Sequence, residues 1–132
     1  MTMRTATCAC GRLRAVCAGD PVRTSVCHCH DCQRRTGSAF GFNARFARAN
    51  VRIEGETRAW SRVADSGNAL TFHFCPTCGT TLYWYLSDLP DLIAIAAGGF
   101  ADRSVPPPRI SVYDESRRHA WVDIKVPVER VG

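Results

Sequence analysis

Apolar and polar residues alternate over short stretches along most of this chain. Apolar residues stand at every second position in one stretch, at Leu13, Ala15 and Cys17, as on the buried face of a half-buried strand. Similar segments rich in β-branched and aromatic residues recur, and turn-forming residues such as glycine, proline, asparagine and aspartate separate them. The predicted strands cover residues 5–8, 13–18, 25–27, 39–46, 51–54, 57–62, 69–75, 80–86, 92–97, 109–113 and 120–126.

Helical periodicity is nearly absent from the chain. Residues 30–35 are the exception, where one or two helical turns are predicted before Gly37 ends them. Many short strands at close spacing favour an all-β fold, namely a sandwich or open barrel of antiparallel strands with at most a short helical turn. The length suits one domain spanning residues 1–132, since neither a repeat nor a linker divides the sequence.

Charge and hydropathy argue against several classes of protein. The formal net charge of +5 comes from scattered arginines, and without a block of like charges it does not by itself favour nucleic-acid binding. No apolar run reaches the length of a membrane span, and residues 1–8 lack the apolar segment of a signal peptide. We therefore expect a cytoplasmic, reducing environment, in which clustered cysteines bind metal more often than they form disulfides.

Cysteines carry the strongest chemical signal, because seven of the eight fall in tight clusters. Four thiolates make a closed structural zinc site, whereas three leave one position open for a substrate. The count of seven fits one site of each kind. The eighth cysteine, Cys17, stands in an alternating strand and is predicted to be a core residue.

Two cysteine pairs, each followed by glycine, form the predicted closed site. Cys75 and Cys78 have the two-residue spacing of a zinc knuckle, which lets both sulfurs reach one metal at ~2.3 Å. Cys8 and Cys10 supply a second, tighter pair. A zinc ion held by all four would join the first hairpin to a strand in mid-chain. The alternatives are a disulfide or two unrelated pairs.

Cys27, Cys29 and Cys32 form the predicted open site. On an extended backbone Cys27 and Cys29 project to the same side, and Cys32 follows at the start of the helical turn. A zinc ion bound there could activate a thiol and hold it beside an electrophile such as an aldehyde. The alternatives are a structural site closed by His28 or His30, a redox thiol cluster, and a metal site without turnover.

Arg34 and Arg35 follow the three cysteines directly. Their guanidinium groups are placed to offset thiolate charge or to bind a carboxylate of the substrate. A solvated basic turn is the alternative interpretation.

Three segments around the cysteines and one later tryptophan form a combined motif. The segments run from Cys8 to Gly11, from Cys27 to Phe40 and from Phe74 to Tyr83, and the tryptophan is Trp121. Together these segments resemble the glutathione-dependent formaldehyde-activating enzymes, a family that also contains the centromere protein V type of protein. The resemblance implies a β-rich fold of the beta-tent type with two zinc ions. In that family the closed site falls on Cys8, Cys10, Cys75 and Cys78, and the catalytic site on Cys27, Cys29 and Cys32.

The resemblance also implies an activity, the reversible joining of glutathione to formaldehyde as S-hydroxymethylglutathione. This is a carbon–sulfur lyase reaction in reverse, in which the thiol of glutathione fills the open zinc position. The expected partners are therefore a small-molecule thiol and an aldehyde. The second hypothesis is a non-catalytic zinc module for protein or nucleic acid, in which the aromatic and arginine residues of segment 40–48 would stack on bases. Burial of those aromatic rings in the core would exclude that role.

Overall fold

The computed structural model describes all 132 residues, and short strands form most of its regular structure. One helix, α1 (His30–Thr36), is longer than a single turn, and short 3-10 helices cover Arg48–Asn50 and Ala97–Phe100. The strands are β1 (Met3–Thr7), β2 (Arg14–Ala18), β3 (Arg23–Cys27), β4 (Gly41–Ala47), β5 (Val51–Glu54), β6 (Arg58–Val63), β7 (Ala69–Phe74), β8 (Thr81–Leu86), β9 (Leu92–Ala96), β10 (Ile110–Val112) and β11 (Glu129–Val131). The all-β prediction is confirmed.

The strands form two open sheets and no closed barrel. The smaller sheet has the order β1-β2-β5, and the larger has the order β11-β10-β3-β4-β9-β8-β7-β6. The helix α1 follows β3 directly and leads back into β4, its antiparallel neighbour. Gly37 ends α1 with a φ of 68°, and its N–H donates to the carbonyl of Gln33, as predicted for that position.

The main core lies where the small sheet packs against the large one. Leu13, Ala15 and Cys17 contribute one side, and Phe46 and Ile93 contribute the other. Cys17 is fully buried, which confirms it as a core residue, and burial raises the pKa of its thiol to about 12. The side chain therefore behaves as a small hydrophobe.

A second apolar cluster lies on the opposite face of the large sheet. It consists of Leu70, Phe72, Trp84 and Ala94. The register between β7 and β8 shifts at His73/Phe74, where Leu82 is the extra residue that has no partner. This bulge lets Leu82 join the main core although Trp84, two residues later, faces the second cluster.

The strand predicted over 120–126 is wrong. Residues 120–126 form turns and irregular backbone, and the last strand is β11, which starts after Pro127. The N–H of Val122 donates to the carbonyl of His119, so this backbone closes a turn instead of pairing with a strand. Val122 is buried while the neighbouring Trp121 is 74% exposed, and this contrast gives the segment an alternation that resembles a strand.

The strand pairing is also not antiparallel throughout. β10 runs parallel to both β3 and β11. Parallel neighbours that follow each other in the sequence require a long crossover connection, and residues 113–128 supply it between β10 and β11. The segment 97–109, with its three consecutive prolines, carries the chain from β9 past β4 and β3 to β10. Strand periodicity carries no information about this direction, because alternation is the same in both kinds of sheet.

The turn after β5 depends on Gly55. Its φ is 104°, and a Cβ at this position would collide with the carbonyl oxygen of Arg12. We expect Gly55→Ala to lower the free energy of unfolding by about 3 kcal/mol, from left-handed backbone strain and a backbone clash combined. Urea denaturation would measure this.

Gly67→Ala is the matched control for that substitution. Gly67 has a similar φ of 90°, but a Cβ added there would meet no other atom within 4 Å, so only the backbone strain remains. We expect a loss of about 1 kcal/mol. Equal losses at both positions would contradict the role assigned to the contact between Gly55 and Arg12.

No helix of this protein is long and apolar enough to cross a membrane.

Candidate metal centre and adjoining cavity

Four cysteine sulfurs converge where the two sheets meet. Cys8 and Cys10 lie in the turn between β1 and β2, and Cys75 and Cys78 lie in the turn between β7 and β8. The Sγ atoms of Cys8 and Cys10 are 3.6 Å apart, and those of Cys10 and Cys75 are 3.7 Å apart. A tetrahedral zinc ion with Zn–S bonds of ~2.3 Å requires sulfur separations of roughly 3.8 Å. The cluster therefore has the size of a closed zinc site.

The surroundings of this cluster stabilise negative sulfur. The N–H of Leu13 donates to Cys8 Sγ at 3.2 Å. Cys78 Sγ lies 3.3 Å from the Thr80 hydroxyl, and hydrogen bonding from that hydroxyl lowers the pKa of Cys78 to about 5. Donors aimed at sulfur are the usual second layer of a thiolate metal site.

The other three clustered cysteines meet at one end of α1. Cys27 is the last residue of β3, Cys29 is the N-cap of α1, and Cys32 lies in its first turn. All three sulfurs lie within 4.8 Å of one another. The N–H of Cys32 donates to Cys29 Sγ at 3.3 Å. Hydrogen bonds from the thiols of Cys27 and Cys32 lower the pKa of Cys29 to about 2, so the group favours a thiolate.

Neither neighbouring histidine belongs to this sulfur group, so this arrangement does not support the alternative of a structural site closed by His28 or His30. His28 is fully buried, and its Nε2 lies 2.9 Å from the hydroxyl of Ser111. That hydroxyl donates to Asp114 Oδ1 at 2.7 Å. His30 is exposed at the start of α1.

The buried network anchors the backbone between two cysteines to the end of the chain. The N–H of His28 donates to the carbonyl of Val112 in β10, and Arg130 in β11 pairs with Asp114 at 2.8 Å. Although burial raises the pKa of Asp114, the hydrogen bond from Ser111 and the charge of Arg130 hold it below its usual value. His28 therefore positions the loop that carries Cys27 and Cys29.

A cavity of about 450 Å³ opens beside the three-cysteine cluster. Cys27, Cys29 and Cys32 line it, whereas none of the other four clustered cysteines does. Its volume lies in the range of small-molecule sites. Its apolar wall is the second cluster of the large sheet, including Leu70, Phe72 and Trp84. The three-sulfur group is thus accessible to a ligand of moderate size.

Six arginines surround this cavity against two carboxylates, those of Asp31 and Asp65. The structure brings both predicted arginines to it, in different settings. The guanidinium of Arg35 lies 4.3 Å from the centre of the Trp84 ring, and its Nη2 donates to Asn43 Oδ1 at 3.4 Å. The Arg34 side chain is 77% exposed and reaches only Asp31, at 4.0 Å. Arg35 is therefore the better-positioned anion ligand.

One family model spans both cysteine clusters. The family model described as glutathione-dependent formaldehyde-activating enzyme matches residues 3–116. The chain belongs to this family. The match includes all seven clustered cysteines and ends near Asp114, so the segment that carries β11 lies beyond it.

A solved structure supports the fold of this family member. The crystal structure of a Rhodobacter sphaeroides protein, a structural genomics target, superposes with a TM-score of 0.58 at 18% sequence identity. The alignment covers 78% of this chain and 91% of that chain. At this identity the similarity describes the fold alone. No curated protein matches the sequence.

The sequence interpretation did not find several residues of the cavity. Four further residues line it from three different strands of the large sheet, namely Arg23 of β3, Asn43 and Arg45 of β4, and Arg62 of β6. The sequence of β3 could have indicated Arg23, because this residue lies four positions before Cys27 and therefore on the same face of the strand. On β4 and β6 no nearby motif marked the face that lines the cavity.

Proposed function

We propose that this protein binds two zinc ions and reversibly joins a small-molecule thiol to an aldehyde such as formaldehyde. Cys8, Cys10, Cys75 and Cys78 would hold the structural ion, and Cys27, Cys29 and Cys32 the catalytic one. Both sites and the cavity would belong to one domain over residues 1–132. Reduced thiols in both clusters require a reducing compartment such as the cytoplasm.

The observation that carries this proposal is the contrast between the two clusters. Four sulfurs meet the full coordination of zinc and lie away from the cavity, whereas three sulfurs leave one position open and line it. Cys27, Cys29 and Cys32 would hold a zinc ion whose Lewis acidity would favour the thiolate form of a bound thiol at neutral pH. Hydrogen bonds within the cluster lower the pKa of Cys29 and raise that of Cys27, so the three thiols by themselves favour one thiolate.

The chain supplies binding and orientation. Arg35, stacked on Trp84, is held in place to donate hydrogen bonds to a carboxylate of the thiol substrate, and Arg34 adds positive charge at the exposed rim. Phe72 and Trp84 limit water at the apolar wall. Holding the thiol and the aldehyde together in this cavity would accelerate a reaction between two separate molecules.

In the proposed reaction the thiol loses its proton and its sulfur attacks the carbonyl carbon of the aldehyde. A sulfur–carbon bond forms while the carbon–oxygen π bond breaks. The oxygen then takes up one proton, so that thiol and formaldehyde together equal the S-hydroxymethyl product. The reverse reaction releases both reactants.

Two of the three aromatic rings in segment 40–48 lie in or against the core, which weakens the support for a nucleic-acid module. Phe46 is 1% exposed and Phe42 packs against the main core, so neither ring is free to stack on a base.

The proposal is tested by the rate of exchange between free and glutathione-bound formaldehyde, measured by carbon-13 exchange NMR at neutral pH. The rate, not the yield, is informative, because the adduct also forms without a catalyst. We expect zinc-loaded protein to raise the exchange rate at least tenfold over buffer. The control is the same preparation after mild chelation that leaves one zinc ion per chain. Equal rates in buffer, chelated and fully loaded samples would contradict the proposed activity.

A further inference from the structure

One edge of the large sheet ends in a strand whose outer side is uncovered. β6 (Arg58–Val63) pairs only with β7, and five of its six residues are exposed. Its sequence contains neither proline nor lysine, and its register with β7 is regular. At the other edge of the same sheet, β11 has only three residues. Because proteins protect exposed edges by shortening, charging or distorting them, β6 is the edge more open to pairing with a further strand.

The strand register shows which backbone groups of β6 point out of the sheet. The carbonyl of Ala69 accepts from the Ser87 N–H at 2.9 Å, and the N–H of Ala69 donates to the Ser87 hydroxyl at 3.0 Å. Both groups thus point away from β6. Ala69 is the partner of Val63, so this pair exchanges no hydrogen bonds and the N–H and C=O of Val63 face outward. Since hydrogen bonding alternates along an antiparallel pair, Ser61 and Ala59 also present both groups at the edge.

These outward groups are symmetric about Ser61, which makes the edge complementary to itself. When a second copy of β6 lies antiparallel with Ser61 opposite Ser61, Ala59 of each copy meets Val63 of the other. These hydrogen-bonded pairs supply about six backbone hydrogen bonds, within the range of about 10 ± 5 at a typical interface. Shifting the second strand by two residues leaves fewer such pairs within β6.

The side chains of β6 favour the same register. Arg62 lies opposite Trp60 of the second copy, and Arg58 lies opposite Ala64, beyond the end of the second strand. A register centred on Trp60 would instead place Arg58 against Arg62, and like charges directly opposite each other destabilise a sheet. Trp60 is 58% exposed although its ring stacks on Phe72 at 6.1 Å, so much of the indole remains available to a cation of the second copy.

We propose that β6 joins two copies of this chain into a symmetric dimer, with Ser61 of each copy at the two-fold axis. The two large sheets would then continue into one sheet across both copies. Such an interface closes on itself, because pairing uses up this edge in each copy. A single pair of edge strands is a small contact, so we expect a dissociation constant of about 10–100 μM.

The test is sedimentation velocity of the protein with its thiols kept reduced, so that disulfides between copies do not imitate a dimer. The chain mass of 14.6 kDa is the monomer reference. We expect Ser61→Lys and Ser61→Asp each to raise the dissociation constant at least about tenfold, because like charges then meet at the two-fold axis. An equimolar mixture of the two variants should dimerise at least as tightly as the unchanged protein. Ser116→Lys, at an exposed serine outside β6, should leave the dimer unchanged.

Folding does not obscure this test. Ser61 is exposed and its hydroxyl bonds only that of Thr71, at 3.0 Å, so both variants should melt within a few degrees of the unchanged protein. The dimer is overturned if both single variants dimerise normally, if the mixture stays monomeric, or if assemblies larger than a dimer form. A protein that stays monomeric about tenfold above the expected dissociation constant also overturns it, and leaves the edge to a strand of another protein.

Discussion

Replacing Cys78 with serine is expected to remove the proposed structural zinc ion and to prevent folding. The four sulfurs join the β1–β2 turn to the β7–β8 turn, and a structural zinc ion contributes ~10 kcal/mol or more of apparent binding energy. This binding energy is as large as the whole net stability of a small domain, which is about 5–15 kcal/mol. Elemental analysis and circular dichroism of the purified variant would measure both losses.

Cys17→Ala is the matched control for that experiment. Cys17 is fully buried, whereas Cys78 is exposed, so burial alone predicts greater damage at Cys17. We expect the opposite, with Cys17→Ala losing about 1 kcal/mol of stability and no zinc, since only a small core group is removed. A Cys78→Ser protein that is folded, melts normally and holds its full zinc would contradict the metal assignment.

Cys29→Ser is expected to remove the second zinc ion and the catalysis while leaving the fold intact. The sulfur of Cys29 accepts a hydrogen bond from the N–H of Cys32 at the N-cap of α1, and serine is a preferred N-cap residue. The serine hydroxyl keeps that cap but replaces a thiolate ligand. We expect formaldehyde exchange to fall to the rate in buffer, a loss of at least ~10-fold, because disturbing even the outer partners of metal ligands costs about 10–100-fold.

Zinc content and melting temperature separate this effect from unfolding. The variant should hold one zinc ion per chain and melt within a few degrees of the unchanged protein. Cys17→Ala again serves as the control and should keep both ions and the full exchange rate. Two zinc ions in Cys29→Ser, together with an unchanged rate, would show that the three-cysteine cluster is not the catalytic site.

The strands were predictable where one face of a sheet is buried. Alternation over 13–18 correctly predicted β2 and the buried Cys17, because a half-buried strand repeats every two residues. The same rule failed at 120–126, where a turn at Val122 buries one apolar side chain next to the exposed Trp121. Local periodicity does not distinguish a turn with one buried residue from a short strand.

The arginines show a different limit of prediction from sequence. Arg34 and Arg35 are equivalent in the sequence, and only packing against Trp84 and Asn43 distinguishes Arg35. Arg23 and Arg45 are direct partners in the register between β3 and β4, two strands that α1 separates in the sequence. Their juxtaposition has no local signature, because each is a single cation in an ordinary strand.

The sequence by itself determined the family, the all-β class and the two cysteine clusters, because these depend on spacings within short segments and on the strand period. The tertiary structure decided which cysteine cluster opens into a cavity and which arginines line that cavity. It also decided that His28 is buried in a hydrogen-bonded network with Ser111 and Asp114. Those properties arise from contacts between β3, β4, β8 and β10, and the register of distant strands is fixed only when the whole sheet packs.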